Sequence, residues 1–190
     1  MAISLSNITK TYGDKLVLDH FSAEIPEGRT TCILGPSGCG KTTLLHILLG
    51  ILPFDEGEIT GLEGRRVSAI FQEDRLCENL SVLRNLLLVM KEAPAKEILQ
   101  AELAAVGLEG EEHTPAGDLS GGMKRRVAIL RALLVDPDVI ILDEPFAALD
   151  EERKHAVIAY VREKTAGKTL ILVTHDPEEA QLLGADILQM

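Results

Sequence analysis

The sequence predicts an α/β fold in which helices cover a mostly parallel sheet. Short apolar runs of strand length alternate with helical patterns along most of the 190 residues, which is the order typical of parallel sheets. A glycine-rich segment, residues 35–42, follows one such run and leads into a helix. An antiparallel β portion is expected at the N-terminus, and an inserted α-helical subdomain at about residues 73–134. We expect one domain over residues 1–190, because this length supplies a single sizeable core.

The N-terminal part contains strands followed by one helix. Apolar residues recur in a polar background at residues 3–8, and two further strands are predicted at Leu16–Ile25 and Thr30–Leu34. A helical pattern begins at Lys41. It is predicted to end at Gly50, because glycine readily adopts the left-handed conformation that closes a helix.

The rest of the chain alternates helices and strands. A strand is predicted at Val67–Phe71, and residues 81–108 read as helical with a break near Pro94. The remaining predicted elements are a helix after Ser120, a strand at Val139–Leu142, a helix from about Glu151 to Lys164, a strand at Thr169–Val173 and a helix from Pro177.

The composition argues against several classes of protein. Hydrophobic residues make up 46% and charged residues 26% of the chain, and no apolar run is long enough to cross a bilayer. The net charge is 19 − 30 = −11, which disfavours binding to nucleic acid. The three cysteines are irregularly spaced, which argues against a disulfide framework or a zinc site. No secretion signal is visible at the start, so a cytoplasmic protein is expected.

Residues 35–42 match the spacing of a phosphate-binding loop, namely Gly, four residues, and Gly-Lys-Thr, which assigns the sheet to a P-loop NTPase core. Glycines let successive N–H groups point at phosphate oxygens, and the helix N-terminus adds a partial positive charge. Lys41 is expected to reach the β- and γ-phosphates and Thr42 to bind Mg²⁺. The alternative is a glycine-rich turn with an exposed lysine. The predicted loop residues that bind nucleotide are Gly35, Pro36, Ser37, Gly38, Cys39, Gly40, Lys41, Thr42 and Thr43.

Two carboxylates follow the apolar strand Val139–Leu142. Asp143 and Glu144 are therefore expected at the carboxyl-terminal edge of the sheet, where the phosphate loop also belongs. Neighbouring strand residues point in opposite directions, which suits two separate roles. Asp143 is predicted to bind Mg²⁺, and Glu144 to orient or deprotonate the attacking water. The alternative is a strand that ends in a solvated acidic turn.

A serine-glycine motif completes a pattern that resembles the ATP-binding cassette family. The residues that carry the resemblance are Leu119-Ser120-Gly121-Gly122-Met123, Asp143-Glu144-Pro145, Ala148-Leu149-Asp150 and His175. The resemblance extends over essentially the whole chain. It implies a head-to-tail dimer in which Ser120, Gly121 and Gly122 of one copy cover the γ-phosphate of ATP bound by the other copy. Without the resemblance, this motif is only a serine-capped helix start.

The resemblance also implies roles for four separate residues. Tyr12 would stack on adenine, Gln72 would contact Mg²⁺ or the attacking water, and His175 would hydrogen-bond the γ-phosphate. Their plainer interpretations are a core or surface tyrosine, a lone glutamine and an ordinary polar residue at a strand end. Asp150 would lie at the dimer interface, although it also suits the N-cap of the helix that begins near Glu151.

Two features depart from the family's pattern. Met123 stands where a glutamine is common at the end of the signature, which bears on a polar contact near the nucleotide. The helical block and the C-terminal end are short for the family, so no attached regulatory domain is expected.

The function that the resemblance implies is ATP hydrolysis that powers a membrane transporter. Residues 71–76 and 143–150 look most like those of importer subunits for nitrate, sulfonate or taurine. The implied partners are a second copy, permease subunits that dock near Gln72 to Val89 and, for an importer, indirectly a substrate-binding protein. The implied location is the inner face of the cell membrane. The alternatives are a soluble family member in DNA repair, translation or cofactor assembly, and a small-molecule kinase or GTPase with the same loop.

Overall fold

The computed structural model describes all residues from Met1 to Met190 and contains eight strands and six α-helices. In chain order the elements are β1 (Ile3–Tyr12), β2 (Lys15–Ile25), β3 (Thr30–Leu34), α1 (Lys41–Leu48), β4 (Glu56–Thr60), β5 (Val67–Ile70), α2 (Val82–Leu87), α3 (Lys96–Ala105), α4 (Gly121–Leu133), β6 (Val139–Asp143), α5 (Glu151–Lys164), β7 (Thr169–Val173), α6 (Pro177–Leu182) and β8 (Asp186–Gln189).

Five strands form the central sheet in the order β5-β6-β7-β3-β8, and every neighbouring pair is parallel. This confirms the predicted α/β fold with a mostly parallel sheet. The carboxyl ends of β3, β6 and β7 lie at one edge, so the loops that follow these strands meet there. The edge strand β8 was not predicted, because its four residues show no clear alternation and its place is set by pairing with β3.

The N-terminal strands form a separate antiparallel sheet in the order β2-β1-β4, which confirms the predicted antiparallel portion. The strand β4 was not predicted. Its sequence, Glu-Gly-Glu-Ile-Thr, contains one large apolar residue, so no strand pattern is visible. Pairing with β1 determines its position, with Ile59 opposite Leu5.

The central sheet is buried on both faces, and alternate residues of β6 enter two different cores. Ile140 and Leu142 pack with apolar residues of α2, α4 and α5. Val139 and Ile141 pack instead with α1 and the antiparallel sheet. All four side chains are fully buried, which explains the unbroken apolar run of this strand. The acidic residues that follow β6 are therefore carried by a strand packed from both sides.

The helices between β5 and β6 are shorter than the sequence pattern suggested. The predicted break near Pro94 extends over residues 88–95, between the end of α2 and the start of α3. Whether this region is a separate subdomain remains a prediction. The predicted end of α1 is confirmed, since Gly50 follows it with a φ of 67°. No helix combines the length and the apolar character that crossing a bilayer requires.

Candidate active site

The phosphate loop connects β3 to α1 and curls at two glycines. Gly38 and Gly40 have φ angles of 82° and 108°, a region that residues with a side chain rarely adopt. A Cβ at Gly40 would also lie 3.0 Å from Leu18 and 3.1 Å from Val17. Both the backbone and the packing therefore require glycine at position 40. The loop leads directly into α1, whose free N–H groups favour an anion.

The Lys41 ammonium lies inside this loop. Its Nζ donates to the carbonyl oxygen of Gly35 at 2.7 Å and to that of Pro36 at 2.9 Å. Both partners are neutral carbonyl groups, so the positive charge is not compensated by a carboxylate. The ammonium can therefore exchange these oxygens for the charged oxygens of a phosphate, which form stronger hydrogen bonds.

A cavity of about 410 Å³ adjoins the loop and opens toward the end of β1. Its lining residues are Tyr12, Lys15, Val17, Gly38, Gly40, Lys41, Thr42 and Thr43. Tyr12 is 49% exposed, so a face of its ring is available to a planar ligand. The predicted adenine-stacking residue and the phosphate loop therefore share one cavity.

Thr42 and Asp143 meet at the carboxyl edge of the sheet although 101 positions separate them in the sequence. The Thr42 hydroxyl donates to Oδ2 of Asp143 at 3.2 Å. Asp143 is only 5% exposed, and this burial raises the pKa of its carboxyl group. Hydroxyl and carboxylate oxygens suit Mg²⁺, and a bound dication would favour the ionised carboxylate. These two oxygen ligands fit Mg²⁺ chemically. No group of three His, Cys, Asp or Glu side chains that could hold a metal ion is present.

Glu144 pairs with His175 at the same edge. Both carboxylate oxygens lie 3.0 Å from Nδ1 of His175. This hydrogen bond, together with the negative charge of Glu144, raises the pKa of His175. Glu144 has a φ of 48°, which is uncommon for a residue with a side chain, and its N–H donates to Val173 at 2.9 Å. The ends of β6 and β7 thus bring two of the three predicted catalytic side chains, Glu144 and His175, into contact; the third is Gln72.

Gln72 follows β5 and borders a second cavity of about 180 Å³. Thr42 and Asp143 line the same cavity, together with Phe71 and His46. The structure therefore brings Gln72 close to the two other predicted Mg²⁺ ligands. A single glutamine carries no signal of this kind in the sequence, because the proximity depends on the pairing of β5 with β6.

Sequence reasoning missed the residues that hold the loop around His175. Lys154 in α5 is 8% exposed, donates to Asp176 at 2.6 Å and lies 3.4 Å from a carboxylate oxygen of Glu179. Glu179 in turn accepts a hydrogen bond from the Thr174 hydroxyl at 2.6 Å. One buried lysine therefore holds Asp176 directly and Thr174 through Glu179. A lysine inside a helix has no distinctive sequence signal, because this contact arises only when α5 packs against α6.

The signature residues lie apart from the phosphate loop of their own chain. Ser120 caps α4 by accepting a hydrogen bond from the N–H of Met123 at 3.3 Å. Ser120 and Gly121 are exposed and line neither of the two cavities. Asp150 likewise caps α5 by accepting from the N–H of Arg153 at 3.0 Å. Both residues therefore cap helices, and their roles at a dimer interface remain predictions.

Comparisons with known proteins extend this description. A family model described as ABC transporter matches residues 18–147. The chain is 38% identical over 204 residues to the spermidine/putrescine import ATP-binding protein PotA of Bacteroides fragilis, across 99% of the chain and 44% of that protein. It is 40% identical over 191 residues to the aliphatic sulfonates import ATP-binding protein SsuB 3 of Rhodococcus jostii, across 99% of the chain and 70% of that protein.

A solved structure is similar over nearly the whole fold. The dimeric structure of MJ0796, a bacterial ABC transporter cassette, superposes with a TM-score of 0.85 at 29% identity, over 99% of this chain and 94% of that one. The chain spans less than half the length of the Bacteroides polyamine relative, at 44%. The family model nevertheless covers most of the chain, and the similarity to the sulfonate relative extends over 70% of that protein. From its motifs, fold and relatives, this chain belongs to the ABC transporter family.

Proposed function

We propose that this chain is the ATP-hydrolysing subunit of an ABC import system and works as a pair with a second copy. The observation that carries the proposal is the 3.2 Å hydrogen bond between Thr42 and Asp143, which joins the phosphate loop to the acidic strand end. Around that contact, Lys41, Glu144 and His175 supply the cation, the base and the polar partner that phosphoryl transfer to water uses.

The phosphate loop is the proposed ATP site. Its N–H groups and the N-terminus of α1 attract phosphate oxygens, and Lys41 exchanges its two carbonyl partners for the β- and γ-phosphates. Tyr12 offers a ring face to adenine. Thr42, Asp143 and Gln72 are the proposed Mg²⁺ ligands, and the ion supplies positive charge that neutralises the phosphates.

Hydrolysis is assigned to Glu144 and His175. Glu144 orients the attacking water and accepts its proton. The contact with Glu144 at 3.0 Å favours the protonated imidazole of His175, in which Nδ1 donates to Glu144 and Nε2 can donate to a phosphate oxygen. The pair therefore holds a carboxylate for water and a cation for the γ-phosphate at one edge of the sheet.

A second copy completes the proposed site. Ser120 and Gly121 are exposed at the N-terminus of α4, a helix of 13 residues, where N–H groups favour an anion. They do not line the cavities beside the phosphate loop and Gln72 of their own chain. We therefore assign them to the ATP held by the other copy in a head-to-tail dimer. The description of the similar bacterial cassette as dimeric supports a pair of copies. A two-fold axis then produces two equal sites.

The names of the relatives support a role in import. They are import ATP-binding proteins for spermidine/putrescine, sulfate/thiosulfate and aliphatic sulfonates. Because these cargoes differ, they support import rather than one particular cargo. The proposed partners are permease subunits in the membrane and, through them, a substrate-binding protein. The proposed location is the cytoplasmic face of the cell membrane.

Phosphate release by the purified protein tests the enzymatic part of this proposal. We expect ATP to be hydrolysed with Mg²⁺, hydrolysis to stop when EDTA removes the metal, and turnover per chain to rise with protein concentration as dimers form. Hydrolysis that persists in EDTA, or turnover per chain that is the same at all concentrations, would contradict the two-copy site. For the transport part, isolation from native membranes should recover permease subunits. Repeated recovery of a DNA-repair or ribosomal protein instead would favour the soluble alternative.

A further inference from the structure

The side chain of Arg125 joins two segments that carry predicted site residues. Arg125 lies in α4, five positions after Ser120, and is only 3% exposed. Its Nη2 donates at 2.7 Å to the carbonyl oxygen of Asp143 and at 2.7 Å to that of Glu144. Its Nε donates at 2.9 Å to the carbonyl oxygen of Pro145. One guanidinium therefore binds three successive backbone carbonyls at the end of β6.

The same guanidinium also holds the segment after β5. Its Nη1 donates at 2.6 Å to the carbonyl oxygen of Phe71 and at 3.1 Å to the Asp74 carboxylate. These two partners lie on either side of Gln72 in the sequence. Asp74 is the only carboxylate paired with Arg125, so it provides the compensating negative charge that a buried cation needs.

The three carbonyls at the end of β6 need such a partner because the backbone turns sharply there. Glu144 has a φ of 48°, a strained conformation that a residue with a side chain keeps only when its surroundings hold it there. Carbonyl groups buried without a hydrogen bond would add a further penalty. The planar fork of arginine has five N–H donors, enough for these three carbonyls and for Phe71 and Asp74 at once, whereas a lysine ammonium has three.

The neighbouring arginines of α4 do not make this connection. Arg126 donates to the carbonyl oxygens of Val106 and Gly107 at 2.7 and 2.6 Å, and to none at the end of β6. Arg131 donates to the carbonyl oxygens of Asp74 and Arg75, but not to those of β6. Among the arginines of this helix, Arg125 alone contacts both the β5 and the β6 segments.

We propose that Arg125 is a positioning residue for the hydrolytic reaction, which sets the backbone of Glu144 and of Gln72 relative to each other and ties both to the helix that begins at the signature. This inference rests on the proposed function, because it assigns Arg125 a purpose only if Glu144 acts on water. The guanidinium of Arg125 is buried and bonded to protein oxygens, so we assign Arg125 an effect through the backbone rather than on the nucleotide itself. Its loss is therefore expected to lower turnover while leaving the phosphate loop able to bind nucleotide.

The variants Arg125→Lys and Arg125→Gln test this inference in the full chain. We expect kcat for ATP hydrolysis to fall about 10- to 100-fold, the range typical when an outer hydrogen-bond partner that orients a site residue is lost. The Kd of a fluorescent ATP analogue should change by less than about threefold, because the contacts of Lys41 are intact. Hydrogen exchange should accelerate at residues 71–74 and at 144–146 together, a paired response that the loss of one local contact does not produce.

Tyr160→Phe is the matched control. Tyr160 is buried, and its hydroxyl donates to Glu102 at 2.5 Å, between α5 and α3 and away from the two cavities. This variant loses a buried hydrogen bond, so it should be less stable to urea but keep kcat within about twofold of the wild type. If Arg125→Lys shows the same kcat as Tyr160→Phe, Arg125 is only a structural residue and the inference is overturned.

Asp74→Ala keeps the inference testable if the Arg125 variants do not fold. It removes one partner of the guanidinium, and we expect kcat to fall by a smaller factor with the Kd of the ATP analogue unchanged. An unaltered kcat in Asp74→Ala would overturn the inference. These outcomes are distinct from failure of the proposed function, in which the wild-type protein itself would not hydrolyse ATP.

Discussion

The phosphate loop and the start of α4 both contain glycines that precede or open a helix, yet their surroundings differ. At the phosphate loop, a Cβ on Gly40 would approach Leu18 to 3.0 Å, and Lys41 already donates to two backbone carbonyls. At the start of α4, nothing lies within 4 Å of a Cβ on Gly121, and Ser120 is exposed. The chain's own fold therefore explains the glycine of the first site and not that of the second.

The proposed ATP site has two parts, the phosphate loop and the start of α4, and this difference separates the part that a single chain organises from the part that it does not. A glycine in open space has a purpose when another backbone or ligand approaches it closely. Gly122 has a partial explanation, because its Cβ would lie 3.0 Å from the Ala148 carbonyl oxygen, but Gly121 has none within the chain. The packing of the chain itself thus accounts for Gly40 in the phosphate loop, whereas it gives no reason for glycine at position 121. The predictions below test this separation.

The largest effect is expected for Glu144→Gln. An amide cannot accept the proton of the attacking water, so the rate of ATP hydrolysis should fall about 10²–10⁴-fold. ATP binding should persist, because the loop and Lys41 are unchanged. Dimers with trapped ATP should then be visible by size-exclusion chromatography. Wild-type turnover in this variant would refute the assigned role of Glu144.

The second-largest effect is expected for Lys41→Ala. Removing the only ammonium inside the loop should weaken ATP binding about 10- to 100-fold, as expected for the loss of charge-assisted hydrogen bonds worth about 1.5–3 kcal/mol. Titration with a fluorescent ATP analogue measures this change. An unchanged affinity would mean that the loop does not bind the phosphates.

Two serine caps with the same geometry distinguish a role of Ser120 in ATP hydrolysis from ordinary helix capping. Ser120→Ala and Ser81→Ala each remove a side-chain acceptor 3.3 Å from a backbone N–H, at the starts of α4 and α2. Each should lower the free energy of unfolding by about 0.5–2 kcal/mol in urea titrations. Only Ser120→Ala should also reduce ATP hydrolysis, by about tenfold, if Ser120 bonds to phosphate. Equal turnover in the two variants would leave Ser120 as a cap alone.

Gly121→Ala is expected to raise the free energy of unfolding and to lower the rate of ATP hydrolysis. With open space around it and a helical backbone, the added methyl group should stabilise the single chain by about 0.4–1 kcal/mol in thermal or urea unfolding. ATP hydrolysis should nevertheless fall, because the methyl group occupies the surface that the second copy approaches. A stabilised variant with undiminished turnover would show that nothing packs closely on Gly121.

The smallest effect concerns the pH dependence of the Glu144–His175 pair. Because the pKa of His175 is raised in the folded state, its contribution to stability is fully present below about pH 6.5 and is lost as pH rises through the folded pKa. His175 is largely exposed, so this contribution should stay below about 1 kcal/mol. Urea titrations between about pH 6 and pH 9 should show the difference between wild type and His175→Ala shrinking as pH rises. A difference that does not depend on pH would exclude an ion pair.

The sequence by itself determined the elements whose pattern is local. The buried run of β3, the glycine loop and α1 are consecutive, so their order alone indicates a phosphate site, and the apolar run of β6 places Asp143 at a sheet edge. By contrast, the sequences of β4 and β8 show no strand pattern. Their positions are determined by pairing with β1 and β3. Edge strands of this kind are decided by their neighbours.

Only the tertiary structure decided how distant groups meet. The Thr42–Asp143 contact follows from two motifs, but nothing local indicates that Arg125 reaches the backbone of Glu144 or that Lys154 anchors the loop of His175. In the sequence, charged residues in helices look like members of a solvated face. Their burial depends on which face of α4 and α5 packs against the sheet, so the support of the site emerges only when distant elements come together.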